Sequence, residues 1–313
     1  MRVLITGATG FVGACLTRRL VETGYDLHIM TRHDSNRWRI ADLAGRLTEH
    51  GCDLRDAAMV ASCVAAIEPE VVCHLATYGG FATQQESRDI VEANLLGTMN
   101  LVRSCEKSGV RLIINTGSSS EYGPKNHPLR EDTLPEPVGD YGVTKLAATL
   151  FCQSEAATRG VPVVTLRLFS PYGPWDDPRR LIPYAAAALL TGEPPHLASP
   201  DSVRDYVYID DVLDCYMMLV EGRAQPAAGI YNVGSGRQSS IGEVVAELEQ
   251  LAGTGIRSLW GERAAARPEP THWVADIARA RDQLGWEPQV PLHEGLARTV
   301  AWLSQHLHLY RRK

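Results

Sequence analysis

Residues Arg2-Val3-Leu4-Ile5-Thr6 form a short apolar run of strand type that passes directly into Gly7-Ala8-Thr9-Gly10-Phe11-Val12-Gly13 and then into a helical segment from Ala14 to Thr23. No other stretch limits the fold as much. A strand that enters a helix through three spaced glycines brings bare backbone amides to a helix N-terminus, where a pyrophosphate can approach them. Gly7 permits the tight turn, Gly10 the close approach and Gly13 the packing of helix on strand. Thr9, Phe11 and Val12 then line the bound dinucleotide with the glycines. The spacing is Gly-x-x-Gly-x-x-Gly, which differs from the commoner Gly-x-Gly-x-x-Gly fingerprint. A glycine-rich turn with no ligand is the competing reading, and the strand-turn-helix setting argues against it.

Strand-like runs recur at 26 to 31, about 47 to 52, 71 to 76, 110 to 116 and 162 to 168. Amphipathic stretches at 57 to 67, 84 to 108 and 143 to 159 separate them. This rhythm predicts an α/β chain with a Rossmann-type, doubly wound parallel sheet, whose ligand binds outside the carboxyl ends of the strands. Gly7, Asp53, Ala76 and Ser118 all fall there. From Ser170 the rhythm changes to proline-rich turns and a helix near Leu181 to Thr191. The chain then returns to the first lobe around Asp205 to Gly234 and adds helices near 241 to 251, 276 to 284 and 292 to 307. We therefore expect a dinucleotide-binding domain of residues 1–169 plus about 205–234. A smaller interleaved C-terminal α/β substrate lobe, about 170–204 plus 235–313, completes the division.

The formal charge of −6 over 313 residues supplies no general basic field for a nucleic acid. Seven cysteines without a Cys-x-x-Cys pair or metal-ligand spacing read as reduced core residues, and no metal is expected. His74, inside the apolar run Val71 to Ala76, reads as a hydrogen-bonded buried histidine. No leader precedes the first strand and no apolar run reaches membrane-spanning length, so a cytoplasmic protein without a membrane partner is the expectation.

Tyr141-Gly142-Val143-Thr144-Lys145 carries the chemistry. Positions i and i+4 share a helix face, so the Lys145 ammonium can lie near the Tyr141 oxygen and favour its phenolate. A phenol tuned in this way serves as a general acid or base on an alcohol or ketone. A helix-surface pair is the plainer reading, but lysines occur only at 107, 125, 145 and 313, which makes a chance match less common.

These blocks, taken in order, resemble the extended short-chain dehydrogenase/reductase family, in particular its members that modify nucleotide-activated sugars. The likeness runs from the glycine turn through Cys52-Asp53-Leu54, His74-Leu75-Ala76, Asn94 with Gly97-Thr98 and Ser118 to Gly123. It continues through Tyr141 to Lys145, Arg167-Leu168-Phe169, Arg204 to Asp211 and Tyr231 to Ser235. The resemblance implies that Tyr141 is the acid/base and that Lys145 binds the nicotinamide ribose. It implies further that Ser118 bonds the reacting sugar oxygen and that Asp53, with Leu54, Leu75 and Ala76, contacts the adenine side. Ser119, Ser170, Arg204 and Arg267 are implied to contact a nucleotide-diphosphate sugar, the two arginines at its diphosphate. Ser170 departs from the asparagine many members place there. A homodimer through the helices near 84 to 108 and 143 to 159 is also implied.

The second strand ends in Met30-Thr31-Arg32-His33, with no acid where one selects NAD. Arg32, with Thr31 or Arg37, is expected to take a 2′-phosphate, so NADP(H) is preferred and NAD(H) is the alternative. Ser119 and Ser120 stand where related dehydratases carry acids, and a one-residue shift points Glu121 to the other face. Dehydration and decarboxylation are disfavoured. The expectation is reduction of a 4-keto-6-deoxyhexose nucleotide, with a 4-epimerase that retains its coenzyme as the alternative. A non-catalytic NADP sensor on the same fold is the rival outside enzymology.

Overall fold

The apolar runs of the first half lie side by side in the computed structural model, which describes residues 1–80, 83–224, 226, 228–261 and 271–310. They are β1 (Arg2–Thr6), β2 (Asp26–Thr31), β3 (Thr48–Gly51), β4 (Val71–His74), β5 (Leu112–Ser118) and β6 (Val163–Leu168). Shorter strands follow: β7 (Ser170–Tyr172), β8 (His196–Leu197), β9 (Val203–Arg204) and β10 (Tyr206–Tyr208). The last are β11 (Gly229–Val233), β12 (Ser239–Ser240) and β13 (Leu259–Trp260). Seven strands form one parallel sheet in the order β11-β6-β5-β4-β1-β2-β3. The order reverses between β1 and β4, which opens a crevice at their carboxyl ends.

Helices cover both faces. The first five are α1 (Phe11–Glu22), α2 (Ala57–Ile67), α3 (Ser87–Val91), α4 (Gly97–Lys107) and α5 (Gly139–Arg159). Then come α6 (Leu181–Leu190), α7 (Ile209–Val220), α8 (Ile241–Ala252), α9 (Ala278–Leu284) and α10 (Leu292–Tyr310). Alternation along β1 decides which residue meets which layer. Val3 and Ile5 share a core with Leu16 and Leu20 of α1 and Val212 and Leu219 of α7. Leu4 joins Val60 and Val64 of α2 and Leu101 of α4 on the other side. A strand buried on both faces reads as a continuous apolar run, which is how β1 appears in the sequence.

Several bounds differ from the sequence expectation. The stretch expected as one amphipathic run from 84 to 108 is α3, a π-helical turn at Glu92–Leu96 and α4. The wide turn carries Asn94, whose side chain accepts from Tyr78 N at 2.8 Å and donates to Tyr78 O at 2.8 Å and Thr144 Oγ1 at 3.0 Å. A helical side chain thus satisfies loop backbone that has no strand partner. α5 begins at Gly139 rather than 143, which puts Tyr141 in its first turn.

After β6 the chain leaves the sheet and returns as β11 beside β6. β7 pairs with β10 in parallel and β12 with β9 antiparallel, while α6, α8 and α10 pack on one another. All seven cysteines are free. Among the described residues no helix is long and apolar enough to cross a membrane.

Candidate active site

A cleft of about 1040 Å³ opens at the carboxyl ends of the strands. At its floor Gly7 has φ +75°, and a Cβ there would meet Ala76 N at 2.5 Å, so only glycine fits the turn. At Gly13 a Cβ would stand 2.1 Å from Gly7 O, so the start of α1 rests directly on the turn. Gly10 is the N-cap of α1 and offers no side-chain acceptor to the helix amides that follow. Those amides meet the cleft along Thr9, Gly10, Phe11, Val12 and Gly13. Glycines of this clearance beside uncapped amides fit the pyrophosphate of a dinucleotide.

Asp53 and Leu54 line the cleft beyond β3, and Leu75 and Ala76 line it beyond β4. Asp53 is gripped by Arg55, with Nη2 to Oδ2 at 2.6 Å, and this partner holds its carboxyl below the usual range. Arg32 also faces the cleft, 3.2 Å from Asp34, a carboxylate on the same wall. Arg37 Nε donates to Glu49 at 2.7 Å, and Thr31 Oγ1 donates to the same carboxylate. Each group expected to hold a 2′-phosphate therefore has an acid within reach. Asp34 escapes the sequence pattern because it lies one residue beyond Met30 to His33, and Glu49 because register, not proximity in sequence, brings β3 beside Thr31.

Ser118, Ser119, Ser120 and Tyr141 meet on one side of the same cleft. The turn after β5 is closed by a capping box: Ser118 Oγ accepts from Ser120 N at 3.1 Å, and Glu121 Oε1 accepts from Ser118 N at 2.8 Å. Glu121 Oε2 binds Arg167 Nε at 2.7 Å, and both residues are buried. The acid adjacent in sequence is thus directed away from the chemistry, as its one-residue displacement implies. Lys145 lies one turn beyond Tyr141 on the same face of α5, is 4% exposed, and donates from Nζ to Thr116 O at 2.5 Å. Its charge reaches His74. Burial first, then Lys145, push that imidazole down to about 3. Thr98 Oγ1 donates to Asn94 O at 2.6 Å and so must accept from His74 Nε2, at 2.9 Å; His74 Nδ1 then accepts from Thr6 Oγ1 at 2.6 Å. The ring is a neutral tie between β1, β4 and α4.

Ser170, Arg204, Asp177, Arg179 and Arg180 also line the cleft. Asp176, beside Asp177, is buried and does not line the cleft. Asp205, 0% exposed, accepts from Ser235 N at 2.6 Å, Gly236 N at 3.1 Å and Ala275 N at 2.9 Å. It thereby fixes the segment that brings Trp273 to the cleft, where the indole Nε1 donates to Ser119 Oγ at 3.2 Å. No local pattern announces Trp273, which approaches Ser119 only through the tertiary fold. Arg267 lies outside the described residues. The other residues expected to hold coenzyme or substrate border the cleft, except Lys145, which stands behind its wall, and Arg37, which is turned to Glu49.

The model of the NAD dependent epimerase/dehydratase family matches residues 3–234. The chain belongs to this family. It is an enzyme of the NAD-dependent nucleotide-sugar epimerase/dehydratase type, an extended short-chain dehydrogenase/reductase as its motif blocks imply. A UDP-glucose 4-epimerase of Azospirillum brasilense is 28% identical over 96% of this chain and 91% of its own length. The structure of the Thermotoga maritima UDP-glucose 4-epimerase with UDP-glucose superposes with a TM-score of 0.90 at 26% identity, covering 98% of this chain and 100% of that one. The Bacillus cereus UDP-glucuronic acid 4-epimerase, solved with UDP-glucuronic acid and NAD, gives 0.87 at 26% identity with the same coverage. These epimerases fit the alternative reading of the sequence better than reduction of a 4-keto sugar.

Proposed function

We propose that this family member is a nucleotide-sugar 4-epimerase that keeps NAD(H) bound through the cycle. One observation carries the reading: Ser118 and Tyr141 share the cleft with the glycine turn, while the nearby carboxylate of Glu121 is bound to Arg167 and takes no part. Oxidation and re-reduction at one carbon need a single acid/base, whereas elimination of water needs a second proton carrier. When bound, the nicotinamide supplies the hydride acceptor and donor. Tyr141 removes the proton of the sugar 4-hydroxyl and returns it to the same oxygen on the opposite stereochemical course. Ser118 donates to that oxygen and orients it. Lys145, anchored on Thr116 O, would hold positive charge behind the phenol and bind the coenzyme ribose. Arg204, with Arg267, binds the diphosphate.

The carboxylates Asp34 and Glu49 beside Arg32 and Arg37 support NAD(H) over NADP(H). A reductase drawing on NADPH is the second reading, favoured only by the exposure of Arg32 to the cleft. The division of labour between residues 1–169 with about 205–234 and about 170–204 with 235–313 forms part of this proposal.

The test follows UDP-glucose and UDP-glucuronate by proton NMR with purified protein and NAD. Inversion at C4 without net coenzyme consumption is expected, and Tyr141→Phe lowers turnover by about 10²-fold or more while NAD stays bound. NADPH oxidation by a 4-keto-6-deoxyhexose nucleotide, with no inversion of either substrate, would establish the reductase instead.

A further inference from the structure

We propose that Arg39 is a positioning residue that couples the coenzyme end of the cleft to the loop at its sugar-nucleotide end. The inference rests on the reading of the cleft given above and goes beyond it, because neither the motifs nor the comparisons assign this residue a role.

Arg39 is a buried cation, its side chain 8% exposed, with donors divided between two segments far apart in sequence. Nη1 donates to Thr9 O in the glycine turn at 3.3 Å. Nε donates to Trp175 O at 2.7 Å, and Nη2 stands 3.7 Å from Asp177 Oδ2. The guanidinium carbon lies 4.4 Å from the Trp38 ring centre. A planar fork can serve two carbonyls and a carboxylate at once, which an ammonium cannot.

What it grips is strained. Trp175 has φ +69°, a left-handed conformation that is unfavourable for any residue other than glycine. Such a conformation persists only where its surroundings over-determine it. Here Arg18 stacks on the indole at 4.0 Å, Trp302 packs at 5.0 Å, and Arg39 holds the carbonyl. Immediately beyond, Asp177 accepts from Arg179 N at 3.0 Å and Arg179 Nε at 2.8 Å, and Asp177, Arg179 and Arg180 face the cleft. The strained residue is thus an element with two settings, gripped and relaxed, and the gripped setting aims the arginines. The other arm of the grip is the Thr9 carbonyl, in the turn against which a coenzyme pyrophosphate rests. A coenzyme that fixes this turn fixes Arg39, and Arg39 fixes the loop. Reciprocally, a nucleotide sugar that orders the loop tightens the coenzyme site by the same factor.

The test titrates UDP by calorimetry into wild-type protein loaded with NAD and stripped of it, and into Arg39→Lys in both states. In the wild type NAD is expected to tighten UDP by about tenfold. In R39K that factor falls to near one, whatever the UDP affinity of the stripped protein. A residue that merely supports the fold would weaken UDP equally in both states and leave the ratio intact; either an intact ratio or an equal loss overturns the proposal. Hydrogen exchange on the wild type keeps the question open to refutation even if the variant folds poorly. NAD alone should slow amide exchange across residues 176–180, and unchanged exchange there overturns the coupling. Wild-type protein that binds neither NAD nor UDP would overturn the reading of the cleft itself, a result distinct from binding without coupling.

Discussion

Glu121 illustrates how backbone direction outweighs residue type. It follows three serines that border the cleft, yet its carboxylate serves the Ser118 amide and Arg167 and is 0% exposed. Glu121→Gln keeps an acceptor for that amide but leaves the Arg167 charge buried without its counter-ion, which should cost about 3–5 kcal/mol. Urea unfolding measures it, and a loss below about 1 kcal/mol would show that the pair is not what holds this corner. Asp176 makes a different residue-level prediction. Burial pushes its carboxyl up to about 7, with Arg180 at 3.7 Å and Arg39 drawing it back only in part. Because the folded value lies above the unfolded one, near 4, Asp176 contributes stability that is fully present below about pH 4 and is lost as pH rises to about 7. Asp176→Asn should therefore flatten the stability profile across that window and leave the variant the more stable protein at pH 8. Thermal midpoints taken from pH 4 to pH 8 provide the check, and parallel profiles would refute the claim.

Among the elements, β1, the glycine turn and α1 were the most legible, because everything that shapes them is local: a doubly buried strand, a left-handed glycine and a helix that needs no side chain against the turn. Gly13→Ala tests that compactness, since the added methyl would sit 2.1 Å from Gly7 O. We expect coenzyme retained on purification to fall about tenfold or more and stability to drop by about 1–3 kcal/mol. Absorbance of released coenzyme and the unfolding midpoint measure the two effects, and full retention would mean the turn yields without harm. The 84 to 108 stretch was less legible. Its apolar period continues through the π-helical turn, while the reason for that turn, the Asn94 bonds to Tyr78 and Thr144, lies outside the window that periodicity samples. The Tyr141 and Lys145 pair required helix from 141, while the exact start at Gly139 had no signal, because its N-cap, Val138, makes no side-chain capping bond.

For the molecule as a whole, the side of the cleft built from consecutive motifs could be read from the sequence, and the side built by long-range return of the chain could not. Ser118, Tyr141 and the glycines announce themselves by spacing; Trp273 and Arg39 take their places only once the sheet order and the return through β11 are fixed. The helices also leave an apolar surface. Val143 and Leu150 lie two turns apart on α5 at 50% and 51% exposure, and Leu96 on the neighbouring π-helical turn is 42% exposed. We propose that a second copy covers this face, as the family likeness implies. Leu150→Asp should convert a dimer to a monomer in light scattering, and an unchanged mass for variant and wild type would reject the interface. The hidden carboxylate of Asp205 bears on how such a molecule can change over generations. Three of its four anchors are the main-chain amides of Ser235, Gly236 and Ala275, with the Ser235 hydroxyl the fourth, so most of what rivets the strip carrying Trp273 survives a change of lettering. Substitutions there can retailor which sugar is admitted without loosening the frame behind it.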